Sequence, residues 1–285
     1  MRARGFTLTE LAVVMAIVAL LMGGLMYTLS AQMEQRNFEE TRRRLDQARE
    51  LILTFAIQKG RLPCPARYTS SASHSSGQES FCPTAATGHT TTCAGTETTT
   101  VPTVPEHGTC SNHFDGFLPA ASIGYQQTDS SGFAIDAWGN RIRYGVARSI
   151  AGSTCAGTTT PTNLYETMFT SKTLLQRYGI TCQPANLIVC KSGSGITDAV
   201  PSSCGGVANQ IMVQDLLVAV VLSTGKNGAT GGGTGTDEAR NLNGDPLFVW
   251  HTPTALGVTN EFDDQMTWIA VGELYGRLIA AGMLP

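Results

Sequence analysis

The chain is poor in charge: Lys, Arg, Asp and Glu make up only 14% of its 285 residues. The few acids and bases are interspersed and the formal charge is −3, so no basic run marks out nucleic acid as a partner. Signatures of nucleotide binding and hydrolysis are missing too. No G-x-x-x-x-G-K-[ST], G-x-S-x-G or H-E-x-x-H occurs, and the five histidines are scattered in turn-like sequence. None of the eight cysteines forms a Cys-x-x-Cys pair or has a histidine at zinc-finger spacing, which argues against a metal–thiolate cluster. The expectation from these absences is a protein that is not an enzyme.

Apolar residues and glycine are what the chain has in quantity. Hydrophobic residues reach 42%, enough for a sizeable core plus one membrane helix, and the 31 glycines point to long irregular connections. From Leu11 to Leu29 no charge interrupts the sequence, close to the roughly 20 residues a spanning helix needs. Arg2 and Arg4 precede this run, which places the amino terminus in the cytoplasm and the remainder outside. A secretory signal peptide would have a shorter apolar stretch and a small-x-small cleavage site. A plain anchor accounts for the length of the run but not for Glu10 at its edge, because a carboxylate in an apolar zone costs several kcal/mol unless paired or neutralised.

Gly5-Phe6-Thr7-Leu8-Thr9-Glu10, behind a short basic leader, resembles the processing signal of type IV pilins and type II secretion pseudopilins. The resemblance implies that a prepilin peptidase cuts between Gly5 and Phe6 and methylates the new amino terminus. It also implies that Glu10, fifth after the cut, pairs with the Phe6 amine of a neighbouring subunit, each charge neutralising the other in an apolar filament core. Helix is expected to continue to about Lys59, because Phe38, Leu45, Ala48, Ile52 and Phe55 recur at helical spacing among charged residues. Gly60, Pro63 and Pro65 then end it.

Beyond the helix, residues 67–115 are rich in Ser, Thr, Gly and Pro, a composition that by itself reads as linker. Cys64, Cys82, Cys93 and Cys110 argue for a stapled surface loop instead, with Cys82–Cys93 a natural pair. Cys155, Cys182, Cys190 and Cys204 lie in or near a second insertion, 151–205. Up to four disulfides formed outside the cytoplasm are expected, with a connectivity that spacing does not reveal. Strands are expected at 141–146 after the turn Asp136-Ala137-Trp138-Gly139-Asn140, at 186–191, at the end of 210–223 as a central strand, and at 248–250. Trp138 is expected to anchor helix to sheet. Residues 224–245 read as a flexible loop, and an amphipathic helix is expected from Asp264 onward through Ile269, Leu274, Leu278 and Ile279.

The stretch from Asp136 to Tyr144, with Ala137 where proline is usual, is similar to one in major pseudopilins. The Ser-x-Gly-x-x-Gly turn from Ser223 and the acids before Trp268 are similar to their carboxy-terminal loop, which folds around one calcium ion. Carried over, Asp263 and Asp264 would be ligands, with the Leu222–Ser223 region, Asn227 and Asp245 as further candidates, a set of hard oxygen donors suited to that ion. The alternative is that Asp263 caps the following helix and Asp264 sits in its first turn.

The reading is an α+β, pilin-like fold in which a long amino-terminal helix packs on an antiparallel sheet, with disulfide-stapled loops outside. Residues 1–5 would be a leader, 6–30 a transmembrane and assembly helix, 31–59 its amphipathic half, and 60–285 a head with insertions at 67–115, 151–205 and 224–245. The expected function is a structural subunit of a type IV pilus or type II secretion pseudopilus. It would be held in the bacterial inner membrane, with its head in the periplasm, before joining a filament. The expected partners are prepilin peptidase, other pilin or pseudopilin subunits, and a secreted cargo or surface ligand. One alternative is a minor or tip subunit whose enlarged head binds a surface, DNA or a secreted protein. Another is a membrane-anchored periplasmic enzyme.

Overall fold

The computed structural model describes residues 7–67, 77–81, 110–149, 165–196, 203–230, 235–254 and 260–284, with backbone alone for 24–30, 165–167 and 229–230. The leader, Phe6, Cys82, Cys93 and Cys155 lie outside these residues. The chain divides into two compact units, Met1–Glu40 and Thr41–Pro285. Helix α1, Leu8–Lys59, runs through both.

In the first unit the helix presents exposed apolar side chains, from Leu8 through Val14 and Ile17 to Met22. Among the described residues no helix is long and apolar enough to cross a membrane. The run expected to do so, 11–29, continues past Gly23 into positions whose side chains lie outside the described residues.

In the second unit the expected apolar stripe is the buried face of α1. Leu45, Ala48, Ile52 and Phe55 enter the main core with Leu53 and Ala56. The helix stops where Gly60, at φ +73°, returns its N–H to the Ala56 carbonyl at 2.8 Å, a left-handed ending that glycine adopts without steric cost. Against this face lies a four-stranded antiparallel sheet of order β1 (Gly116–Phe117), β2 (Arg143–Val146), β5 (Leu217–Ser223) and β7 (Gln265–Ala270). Every residue of β5 is buried, as its unbroken β-branched and apolar run implies. Arg49 fastens helix to sheet, donating Nε–H to the Trp268 carbonyl at 3.0 Å and pairing with Glu273.

Three short helices, α2 (Ala120–Ile123), α3 (Lys172–Tyr178) and α4 (Thr236–Asn241), line the connections, and α5 (Val271–Ala280) closes the chain. A second sheet of order β4 (Gln210–Met212), β3 (Ile188–Cys190) and β6 (Leu247–Val249) pairs β3 with β4 antiparallel and with β6 parallel. Its side chains alternate: Val189 and Phe248 enter the main core, whereas Ile188, Cys190, Leu247 and Val249 form a second cluster with Cys204 and Phe262. Disulfides join Cys64 to Cys110 and Cys190 to Cys204, and Cys182 is also oxidised.

Several expectations need correction. The end of 210–223 is the central strand that was expected, β5, but its start is a separate strand, β4, of the other sheet, since residues 213–216 turn between them. Residues 224–245 are not simply a flexible loop, because they contain α4. The helix expected from Asp264 starts at Val271; residues 265–270 are a strand because each finds a partner on β5, from Ser223↔Gln265 to Ala219↔Ile269. Asp263 and Asp264 therefore precede a strand and cannot cap a helix. Trp138 is half-buried and outside the core clusters, while Asp136 beside it is buried and fully engaged.

The loop after α1 is held by a buried ion pair. Nη1 and Nη2 of Arg61 donate to Glu79, at 2.6 and 3.0 Å, and Glu79 also accepts the Cys64 N–H at 2.8 Å. Replacing Glu79 with Leu leaves Arg61 buried without its counter-charge and is expected to destabilise the protein by about 3–5 kcal/mol. The double variant Arg61→Met/Glu79→Leu should recover most of that loss in chemical denaturation.

Candidate functional site

The first turn of α1 is a capping box. Thr7 donates its N–H and its hydroxyl to Glu10 Oε2 at 2.9 and 2.8 Å, and Glu10 N–H returns to Thr7 Oγ1 at 3.3 Å. The pattern T-x-x-E satisfies two of the donors that a helix start leaves open. Glu10 is thus exposed in the isolated chain, and one of its oxygens is occupied by Thr7.

The head has a denser site at the turn that leaves β5. Carboxylate oxygens of Glu238, Asp263 and Asp264 lie within 4.8 Å of one another. The three side chains are 0%, 2% and 2% exposed. They arrive from separate segments, Glu238 on α4 and the two aspartates just ahead of β7.

Neutral groups donate to all three carboxylates. Asn227 Nδ2 donates to both oxygens of Glu238 at 3.2 and 3.0 Å. The N–H groups of Lys226 and Asn227 donate to Asp263 Oδ2 at 2.8 and 3.2 Å. Asn241 Nδ2 donates to Asp264 Oδ2 at 2.7 Å. Asp263 Oδ1 and Asp264 Oδ1 are buried with no hydrogen-bond partner among the described residues.

The backbone is shaped to the same end. Gly225 has φ +62°, and a Cβ there would stand 2.2 Å from Asp263 Oδ1, so only glycine lets the turn approach the carboxylate. Asn140 Nδ2 steadies the turn by donating to the Gly225 carbonyl at 2.5 Å. Asp136 does so through Ser223, whose hydroxyl donates to it at 2.6 Å.

Burial dominates the electrostatics. It pushes Glu238 up to about 7, helped by the charge of Asp263. It holds Asp264 well above the usual carboxylate range and raises Asp263. Three carboxylates in one dry site cannot all ionise alone; they hold protons or share a cation. An all-oxygen set with two open, buried oxygens fits a hard cation such as calcium.

Of the residues expected at this site, the structure brings together Asp263, Asp264 and Asn227, the last through its side-chain amide and its backbone N–H. It does not bring Asp245 there: that carboxylate pairs with Arg240 at 3.0 Å and accepts the Leu247 N–H in the turn between α4 and β6. Ser223 is committed to Asp136. Glu238 went unforeseen. Its only sequence signal was Thr236-Asp237-Glu238, acids placed as in the first turn of a helix, within a stretch read as loop.

With divalent cations chelated, Glu238 should make stability depend on pH. Its folded-state value lies above that of the unfolded chain, so folding takes up a proton between about pH 4.5 and 7, and this contribution to stability falls as pH rises through that window. His113, kept neutral by burial, titrates in the opposite sense, so the measurement is a difference. Glu238→Gln should unfold at nearly the wild-type temperature at pH 5 and above it at pH 8. Equal differences at the two values would contradict the assignment.

Residues 1–26 match the family model described as "Prokaryotic N-terminal methylation motif". No curated protein and no solved structure gives a significant match. The chain thus carries, ahead of an α+β head, the amino-terminal methylation motif typical of type IV pilins and pseudopilins.

Proposed function

We propose that the chain is the precursor of a filament subunit of the type IV pilin or pseudopilin kind, and that it acts by assembly. The methylation motif over residues 1–26 carries this reading. Prepilin peptidase would cleave between Gly5 and Phe6 and methylate Phe6. Loss of Arg2 and Arg4 takes the formal charge from −3 to −5. The freed, exposed apolar side chains of α1 suit burial against lipid first and sister helices afterwards. Glu10, already the acceptor in the Thr7 capping box, would take the Phe6 amine of an adjacent subunit.

In the head, Glu238, Asp263 and Asp264 would hold one calcium ion, which supplies the positive charge that the site lacks. The second sheet and the disulfide-closed loops enlarge the head beyond its four-stranded platform, which favours a minor or tip subunit that binds a secreted cargo or a surface.

Mass spectrometry of the mature chain should find N-methylated Phe6 at the amino terminus; retention of Met1, or a cut near residue 30, would overturn the filament reading. Glu10→Gln retains an acceptor for Thr7 but removes the charge. It should be processed normally and fail to enter filaments, and wild-type incorporation would contradict the pairing. Calcium at about 100 times its dissociation constant should stabilise the protein by about 2.7 kcal/mol, an effect that Asp264→Asn abolishes.

A further inference from the structure

Asn241 joins the carboxylate centre to the second sheet. Its side chain is buried and every polar position on it is used. Nδ2 donates to Asp264 Oδ2 at 2.7 Å and to the Val249 carbonyl at 3.0 Å, and Oδ1 accepts the Val249 N–H at 2.6 Å. Val249 ends β6, the edge strand of the three-stranded sheet, and β6 turns its other edge to β3: Ile188 N–H goes to the Pro246 carbonyl and Trp250 N–H to the Cys190 carbonyl. The amide of Asn241 therefore pairs with the free edge of β6 as the peptide group of one more strand would. Asp264, held by the same amide, directly precedes β7, an outer strand of the four-stranded sheet. One side chain spans the gap between the two sheets.

We infer that Asn241 is a positioning residue that couples cation binding to the integrity of the three-stranded sheet. The inference rests on the reading of Glu238, Asp263 and Asp264 as a cation site. Holding Oδ2 of Asp264 by a neutral donor fixes the plane of the carboxylate and leaves Oδ1 without a hydrogen-bond partner among the described residues. A cation drawn to Oδ1 pulls on a group whose far side is tied to Val249, so occupancy tightens β6. By reciprocity, loosening β6 weakens binding. The rest of α4 serves the same attachment. Asp237 accepts the Gly193 N–H at 2.8 Å and the Ser192 hydroxyl at 3.0 Å beyond β3, and Arg240 pairs with Asp245 ahead of β6.

The test uses the full-length chain in detergent micelles, titrated with calcium chloride by calorimetry and followed by hydrogen exchange. Asn241→Ala is expected to raise the calcium dissociation constant about 10- to 100-fold, the usual cost of removing a group that orients a ligand. Asn243→Ala removes a neighbouring asparagine whose side chain bonds Asp245 in the turn between α4 and β6; it should change the constant by less than about threefold. In the wild type, calcium should slow exchange of the Val249 amide by at least about fivefold, a measurement that needs no variant to fold. In Asn241→Ala, calcium should still protect the Lys226 amide, which bonds Asp263, but no longer protect Val249.

Wild-type calcium affinity in Asn241→Ala, equal weakening in Asn243→Ala, or no calcium effect at Val249 in the wild type would each overturn the coupling while leaving the cation site standing. Absence of calcium binding by the wild type would overturn the site and the coupling together.

Discussion

A carboxylate taken out of water needs a cation, a proton or an array of donors around it, and removing the partner of a buried charge costs several kcal/mol. This chain has few charges, and the places where its acids leave solvent organise the second unit. Glu79 is met by the Arg61 guanidinium, which ties the loop after α1 to the start of the Cys64–Cys110 disulfide. Asp136 is met by a hydroxyl and two backbone N–H groups, which ties one turn to the end of β5. Among the described residues, the hydrogen-bond donors that meet Glu238, Asp263 and Asp264 are neutral. The first two arrangements pair their acids; the third leaves Oδ1 of both aspartates without a hydrogen-bond partner among the described residues.

Strand β5 makes that third arrangement possible. Buried along its whole length and paired on both sides, it is the most constrained element of the sheet. Whatever follows Ser223 starts from a defined point. The turn through Gly225 places two backbone N–H groups against Asp263, and the register with β7 places Asp263 and Asp264 opposite that turn. Rigid strands on either side hold the acids together against their mutual repulsion, so the rigidity comes from elements outside the site. In the first unit the acid is handled differently. Glu10 is exposed, its oxygen engaged by Thr7, and its apolar neighbours wait for cover.

Much of this was legible from residues close in sequence. The T-x-x-E start of α1, its apolar stripe from Leu45 to Phe55, its end at Gly60 and the β-branched run of β5 all follow from local periodicity and turn chemistry. Asp263, Asp264 and Asn227 were named together through the resemblance, and the structure brings them to one place. What failed depended on partners far along the chain. Residues 265–270 contain apolar residues that suit helix or strand, and pairing with β5 decides for strand. Glu238 stands 25 positions before Asp263, to which it is bonded, in a glycine-rich stretch whose composition says loop. Asp245 looked equally acidic, but Arg240, near the end of α4, takes it.

The sequence by itself determined the signal at the amino terminus, the long helix that follows it and the central strand of the head, because each is written in adjacent residues or in a short period. Tertiary structure alone decided which acids converge, which disulfides close, and that β3, β4 and β6 form a second sheet joined to the first through Asn241. The physical reason is range. Capping and helical burial act over one or two turns, whereas desolvation of a carboxylate depends on everything the fold packs around it, and no spacing in the sequence records that.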